Sequence, residues 1–505
     1  MRPKYLIFII GTAIMLTSCR KMKDISPLPD ETKPEVTAPI LPVPVFSISN
    51  VLQSNMVVQR DKPFIIWGQA TAGHSISVSV SWNKNAFTAV SDNSGNWRVS
   101  IPAAGASSAP QNITCSSKGT DDIVLDNILI GDVWLCSGQS NMVMPVDAVA
   151  PFTGVLNYQE EIDAASYPDM RLLTVYHRAS AYPLYFLNDE ATWDICTPQT
   201  ARYLSAVAYY FARKLHTTLN VPVGIIISAV NGTSCEQWVN SNGFKNNPDI
   251  KAYSRQSNSS GYYNGMINPL INLSIKGFIW YQGENNKHNY PELYTKLNTA
   301  LINGWRGIFN QGQLPFYFVQ VAPFAEDYNA TKPAGGNPTL DDYAKFREAQ
   351  AGILTVPGTG MAVTMDVGEP DNHHPRDKKP VGERLALLAL KNTYNQNVIC
   401  YGPRYSFLSI NNNRAIVNFA GSTADGLNTK ADKPLNQLFY VAGADHAFKQ
   451  AVATIQGNTV LITAPAGIPL PIQAVRYAFT NAAITNLQNA AGLPAEPFRS
   501  DNWDE

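Results

Sequence analysis

Five short, largely apolar strand-like runs recur through the middle of the chain, at residues 130–135, 223–228, 277–281, 316–321 and 361–365. Helical periodicity fills the gaps: Leu204, Val207, Ala208, Phe211, Leu215 and Leu219 fall at three- and four-residue spacing, and Val381, Leu385, Leu388 and Leu390 follow Pro380. Runs this apolar and this short suit strands buried on both faces, the situation of a parallel sheet whose crossovers are helices. Residues 128–395 are therefore expected to form an α/β three-layer sandwich around a parallel sheet of about five strands. In such sheets functional loops collect at the carboxyl ends of the strands.

The rest of the 505 residues exceeds what one core can hold. Residues 46–127 carry short alternating strands, clearest at 64–68, 75–80 and 97–101, with a hairpin turn at 92–95, and predict a β-sandwich. Residues 396–505 return to strand character at 414–419, 437–441 and 459–462. Pro27, Pro29, Pro34, Pro39, Pro42 and Pro44 make 19–45 an extended tether. Residues 1–18 read as a targeting segment, with Arg2 and Lys4 ahead of an apolar run too short to span a bilayer. The run ends in Leu16-Thr17-Ser18-Cys19, which resembles a bacterial lipobox. Cys19 is the expected lipidation site, giving an exported lipoprotein at the periplasm or cell surface whose one membrane contact is that anchor.

Lys plus Arg number 38 against 39 for Asp plus Glu, so no basic surface invites nucleic acid. No phosphate loop, dinucleotide fingerprint or His-Glu-x-x-His motif occurs, and the cysteines after Cys19 are scattered. Neither a cofactor nor a metal site is expected. Four polar loops follow the predicted strands: Cys136 to Met142, Asn231 to Trp238, Gln282 to Asn286, and Gly368 to Pro375. Ser140 stands just past the first strand, where an alcohol can act as nucleophile. Its own N–H, the Gly232 N–H and the Gln282 amide are the available oxyanion donors. Of seven histidines, His373 and His374 lie in a polar loop after the last strand, with Asp371 and Glu369 at hand to orient an imidazole. His74, His177, His216 and His446 read as structural or solvated, and His288 as an outsider. Pairing Glu284 with Asp366 or Glu369 as glycosidase carboxylates leaves the serine, glycine and histidine unexplained.

GDVWLCSGQSNM, NGTSCEQW, WYQGEN and DVGEPDNHHPRDK together resemble the sialate O-acetylesterase family of the SGNH hydrolase superfamily. The resemblance runs from about residue 46 to the C-terminus. It implies an SGNH-type sandwich flanked by β-domains and a metal-independent serine esterase acting on O-acetylated carbohydrate, most of all O-acetylated sialic acid. Ser140 matches the nucleophile, Gly232 and Gln282 the oxyanion positions, and His374, immediately before Pro375, the base. Relatives often carry an aspartate two residues before that histidine, where this chain has Asn372; Asp371 restores an Asp-x-x-His spacing. Asp371 is thus the expected third member, with a Ser–His dyad as the other reading. Arg347, Gln350, Trp238 and Tyr263 are expected as walls of the site. Two alternatives stay open: an acetyl-xylan or other polysaccharide acetylesterase of the same mechanism, and a non-catalytic glycan-binding surface lipoprotein.

Overall fold

The computed structural model describes residues 46–187, 191–287, 291–325 and 342–503, all within one compact unit, Pro39–Glu505. The segments at 1–18 and 19–45, with Cys19, lie outside the described residues, as does His288. The central sheet contains β1 (Ile123–Gly138), β2 (Tyr167–Thr174), β3 (Trp193–Cys196), β4 (Val223–Ala229), β5 (Gly277–Tyr281), β6 (Phe316–Val319) and β7 (Thr359–Ala362). Their spatial order is β3-β2-β4-β1-β5-β6-β7, and every neighbouring pair is parallel except β3 against β2. The five expected runs became β1 and β4 to β7. Strands β2 and β3 are additional: Pro168, Asp169 and Arg171 break the apolar run of β2, although Met170, Leu172 and Leu173 are buried.

Alternate side chains enter two apolar cores, as strands covered on both faces require. Leu135, Ile226, Phe278 and Trp280 join Leu301 and Trp305 of the helix Pro291–Phe309. Trp134, Cys136, Ile225, Ile227 and Ile279 join Phe211 of the helix Ala206–Leu219 and Leu385 of the helix Lys379–Asn392. Both predicted helices form, and the result is the three-layer α/β sandwich.

Residues Phe46–Ile48, Phe64–Ala70 and Asn96–Ile101 make a three-stranded antiparallel sheet. It shares a core with the antiparallel strands Ser75–Val80, Asn83–Val90 and Ser107–Ser117. At the 92–95 turn, Asp92 Oδ1 accepts from Ser94 and Asn96 N–H at 2.8 and 2.9 Å, and Gly95 takes a φ of 80°. Strand β1 crosses position 127/128: its first half pairs with Ser107–Ser117 and Val57–Gln59, and its second half with β4 and β5. The C-terminal region forms two four-stranded sheets, one built on Arg414–Phe419 and Thr459–Thr463, the other on Phe439–Ala442 and Ala474–Tyr477.

The register of the sheet sets up the site. Gly138 lies level with Ala229 of β4 on one side and Tyr281 of β5 on the other. Three adjacent strands therefore end together, and their loops, carrying Ser140, Gly232 and Gln282, emerge side by side at the point where the chain switches from one half of the sheet to the other.

Candidate active site

Gly138 turns the chain out of the sheet. Its φ is 143°, and a Cβ there would stand 2.1 Å from the Tyr281 carbonyl oxygen, so only glycine fits. The Gln139 N–H then donates to Tyr281 O at 3.0 Å, and the Gln139 carbonyl accepts from Met142 and Val143 at 2.8 and 3.0 Å. Ser140 thereby opens the single helical turn Ser140–Val143, and it is 8 % exposed at the floor of the loop cluster. First-turn N–H groups have no partner within a helix. Among the described residues the Ser140 N–H has no acceptor, and neither does the Gly232 N–H. Gly232 has a φ of 68°, and a Cβ would meet nothing within 4 Å, so space lies open above it. Its carbonyl is held by Asn285 Nδ2 at 3.1 Å.

Gln282 sits beneath these donors. It is fully buried, and its Nε2 lies 3.0 Å from Gln139 Oε1, 3.1 Å from Thr233 O and 2.7 Å from Asn286 Oδ1. Tyr294 donates to its Oε1 at 2.9 Å. An amide has two N–H groups, so Gln282 is committed to bracing the serine and glycine loops. In this structure it is a strut under the expected oxyanion position and not an open third donor.

The histidine loop returns over the sheet from the end of β7. Asn141 Nδ2 donates to the His373 carbonyl at 3.0 Å, joining segments 232 positions apart. The same amide donates to the Glu284 carboxylate and accepts from the Lys378 ammonium. Phe152 packs edge-on against the His374 ring, with centroids 4.9 Å apart. His374 is half-buried; burial, then the charges of Lys378 and His373, push its pKa down to about 4. Burial likewise lowers Lys378 to about 7 against the pull of Glu284, and raises the Glu284 carboxyl.

Asp371 is exposed and makes no hydrogen bond to His374. It is Asn372 that shapes the turn, its Oδ1 accepting from the His374 N–H at 2.9 Å while its Nδ2 donates to Glu369 at 2.8 Å. Glu369 in turn pairs with Arg376 at 3.1 Å. These contacts fix the backbone of the turn, and among the described residues the His374 imidazole has no carboxylate partner.

The four expected wall residues are buried supports. Arg347 donates to the carbonyls of Val321, Thr480 and Asn481, and Gln350 Oε1 accepts from Val321 N–H. Trp238 Nε1 donates to Thr233 Oγ1 and the ring stacks on Tyr262; the Tyr263 hydroxyl donates to Asn268. Three other histidines have structural contacts: His177 with the Tyr262 hydroxyl, His216 with the Val221 carbonyl, and His446 stacked on Trp503. Cys115, Cys136, Cys196, Cys235 and Cys400 are buried free thiols. Among the described residues no group of three or more His, Cys, Asp or Glu is gathered to hold a metal ion.

Asn141, Glu284 and Lys378 also gather at the candidate site, and none of them has a role among the expectations from sequence. All three stand inside the quoted motifs, Asn141 directly after Ser140, Glu284 two residues past Gln282 and Lys378 four past His374, and that proximity was the available signal.

Residues 130–391 match the family described as carbohydrate esterase, sialic acid-specific acetylesterase. The chain is 28% identical to human sialate O-acetylesterase over 497 residues, covering 90% of this chain and 92% of that protein. The rat sialate O-acetylesterase is also 28% identical, over 90% of this chain and 94% of its own length. Among solved structures, a carbohydrate acetylesterase from Xanthomonas citri superposes with a TM-score of 0.80 at 31% identity, over 90% of this chain and 100% of that one.

Proposed function

Because the chain belongs to the sialic acid-specific acetylesterase family of carbohydrate esterases and is a carboxylic ester hydrolase, we propose that it removes O-acetyl groups from sialic acids through Ser140 and His374. Ser140 Oγ attacks the acetyl carbonyl as the imidazole takes its proton, and the Ser140 and Gly232 N–H groups receive the oxyanion. The sugar leaves with that proton returned by His374, and water then attacks the acetyl-enzyme by the same route in reverse. Removing one fixed oxyanion donor typically costs roughly 3–4 kcal/mol of transition-state stabilisation. Gln282 serves the donors indirectly by bracing Gln139 and Thr233.

The observation that carries the reading is the Asn141–His373 hydrogen bond, which ties the residue after the nucleophile to the residue before the base. Acetate release from p-nitrophenyl acetate tests it: wild type turns over, and Ser140→Ala and His374→Ala do not. Equal activity in Ser140→Ala ends the serine mechanism. Acetate release from O-acetylated sialic acid set against acetyl-xylan tests the substrate. Preference for the xylan moves the assignment to polysaccharide, the breadth that the Xanthomonas relative's description as a carbohydrate acetylesterase supports.

Membrane anchoring through a lipid on Cys19 belongs to the same proposal. Among the described residues no helix is long and apolar enough to cross a membrane. Cys19→Ala should release the protein from the membrane fraction and abolish labelling by radioactive palmitate.

A further inference from the structure

Directly behind the nucleophile, one carboxamide is gripped at both ends. Asn141 Oδ1 accepts from the Lys378 ammonium, and Asn141 Nδ2 donates to the Glu284 carboxylate and to the His373 carbonyl. Turning that amide over would set its NH2 against an ammonium and its oxygen against two acceptors, so the charges at the two ends permit a single orientation. Asn141 and Lys378 are each 1 % exposed. Glu284 turns its carboxylate inward, where Oε2 has no partner among the described residues. The Lys378 ammonium also lies 5.3 Å over the Tyr281 ring, at the end of β5.

Taking an ammonium and a carboxylate out of water is unfavourable, and an apolar replacement of the same volume is often at least as stable. Stability alone therefore gives a poor account of why the two charges flank this amide. Position gives a better one. Asn141 is covalently next to Ser140, so fixing its side chain fixes the Ser140 N–H and the direction of the alcohol. Its bond to His373 O seats the turn that presents the next residue, His374.

The geometry points to Lys378 and Glu284 as positioning residues of the esterase, which hold the nucleophile loop and the base loop at working distance through Asn141. This rests on the assignment of Ser140 and His374 made above. Neither residue need touch the substrate.

The test uses the whole enzyme with Lys378→Met, Glu284→Ala, Glu284→Gln and Asn141→Asp, assayed for acetate release with active sites counted by exhaustive fluorophosphonate titration. Misplacement of reacting groups by a fraction of an ångström to an ångström is expected to lower kcat by about 10- to 100-fold. KM should stay within about twofold, because uniform substrate binding is untouched. The fluorophosphonate should react more slowly by a comparable factor. Glu284→Gln keeps an acceptor oxygen for Asn141 and should recover most of what Glu284→Ala loses. A lowered Tm with wild-type kcat per titrated site would mean a merely structural cluster and overturns the inference. Should Lys378→Met fail to fold, Asn141→Asp has the same size and shape, and wild-type kcat there overturns it equally. Ser140→Ala separates the two levels. If it stays active, both the mechanism and this inference fall; if it is inert while the other variants keep wild-type kcat, the inference falls alone.

Discussion

His374 occupies surroundings that disfavour its cation: partial burial, the Lys378 charge and the adjacent His373. The neutral imidazole is the form that accepts a proton from Ser140. With its pKa lowered from 6.5 to about 4, that form persists as the pH falls, so the acid limb of kcat/KM is expected near pH 4 to 5. A limb near 6.5 would show that burial and the neighbouring charges do not act on the ring during turnover, and one above it would point to a carboxylate partner. The same shift has a stability consequence. Between 6.5 and about 4 the unfolded chain takes up this proton and the folded one does not, so the contribution of His374 to stability declines as pH falls through that window. Asp371 makes the complementary case. Exposed and unattached to the ring, it is expected to lower kcat by less than about tenfold as Asp371→Asn, whereas His374→Ala should lose general-base catalysis worth on the order of 100- to 10,000-fold.

Elements carry the placement of these residues. The exit from β1 admits no side chain at Gly138, because the Tyr281 carbonyl already occupies the space. Gly138→Ala should destabilise the fold by at least about 3 kcal/mol, read by urea denaturation, with loss of fluorophosphonate labelling in what remains folded. Much of this layer was legible beforehand. Largely apolar runs marked β1 and β4 to β7, because strands covered on both faces admit few polar residues, each needing its own partner, as Asp132 has in Arg60. Strand β2 escaped because the guanidinium of Arg171 inside it donates to the Pro168 carbonyl three residues before it and to the Asn55 carbonyl 116 positions away, and no local pattern reveals the distant partner. The site divides the same way. Ser140, Gly232 and the His373–His374 pair lie in loops that follow strands, so position nominated them, and the family resemblance singled out His374 as the base. Whether Arg347 or Trp238 faces a cavity or a core is decided by the packing of distant segments, and both face the core. Asn141, Glu284 and Lys378 meet only in three dimensions.

At the scale of the whole molecule, the flanking regions act on the site through its supports. Asp366, at the root of the histidine loop, is held by Arg384 at 2.7 Å and by Lys430 of the C-terminal region at 3.3 Å. Arg347 reaches from the helix Asp342–Gly352 to the carbonyls of Thr480 and Asn481. On the other side, Arg60 grips Asp132 of β1 through Nε and Nη2 at 3.0 and 2.9 Å, with Lys276 at 3.7 Å. The Asp132 side chain is wholly buried. Arg60→Ala removes its bidentate partner, leaving Gln59 and Lys276, and should cost about 3 kcal/mol in chemical denaturation, while acetate release per folded molecule stays at the wild-type value.

One continuous strand, Ile123–Gly138, is hydrogen-bonded to the N-terminal layers along its first half and to the catalytic sheet along its second. Loss of either partner strips the backbone hydrogen bonds from its half of the strand and frees that end of the other's central element. Heating should therefore yield a single calorimetric endotherm, and deuterium should enter the amides on both sides of Gly131 at one shared rate. Ser140 stands just past the end of a beam seated in both the N-terminal layers and the central sheet, and a chain begun at residue 128 would leave that beam without half its bearings.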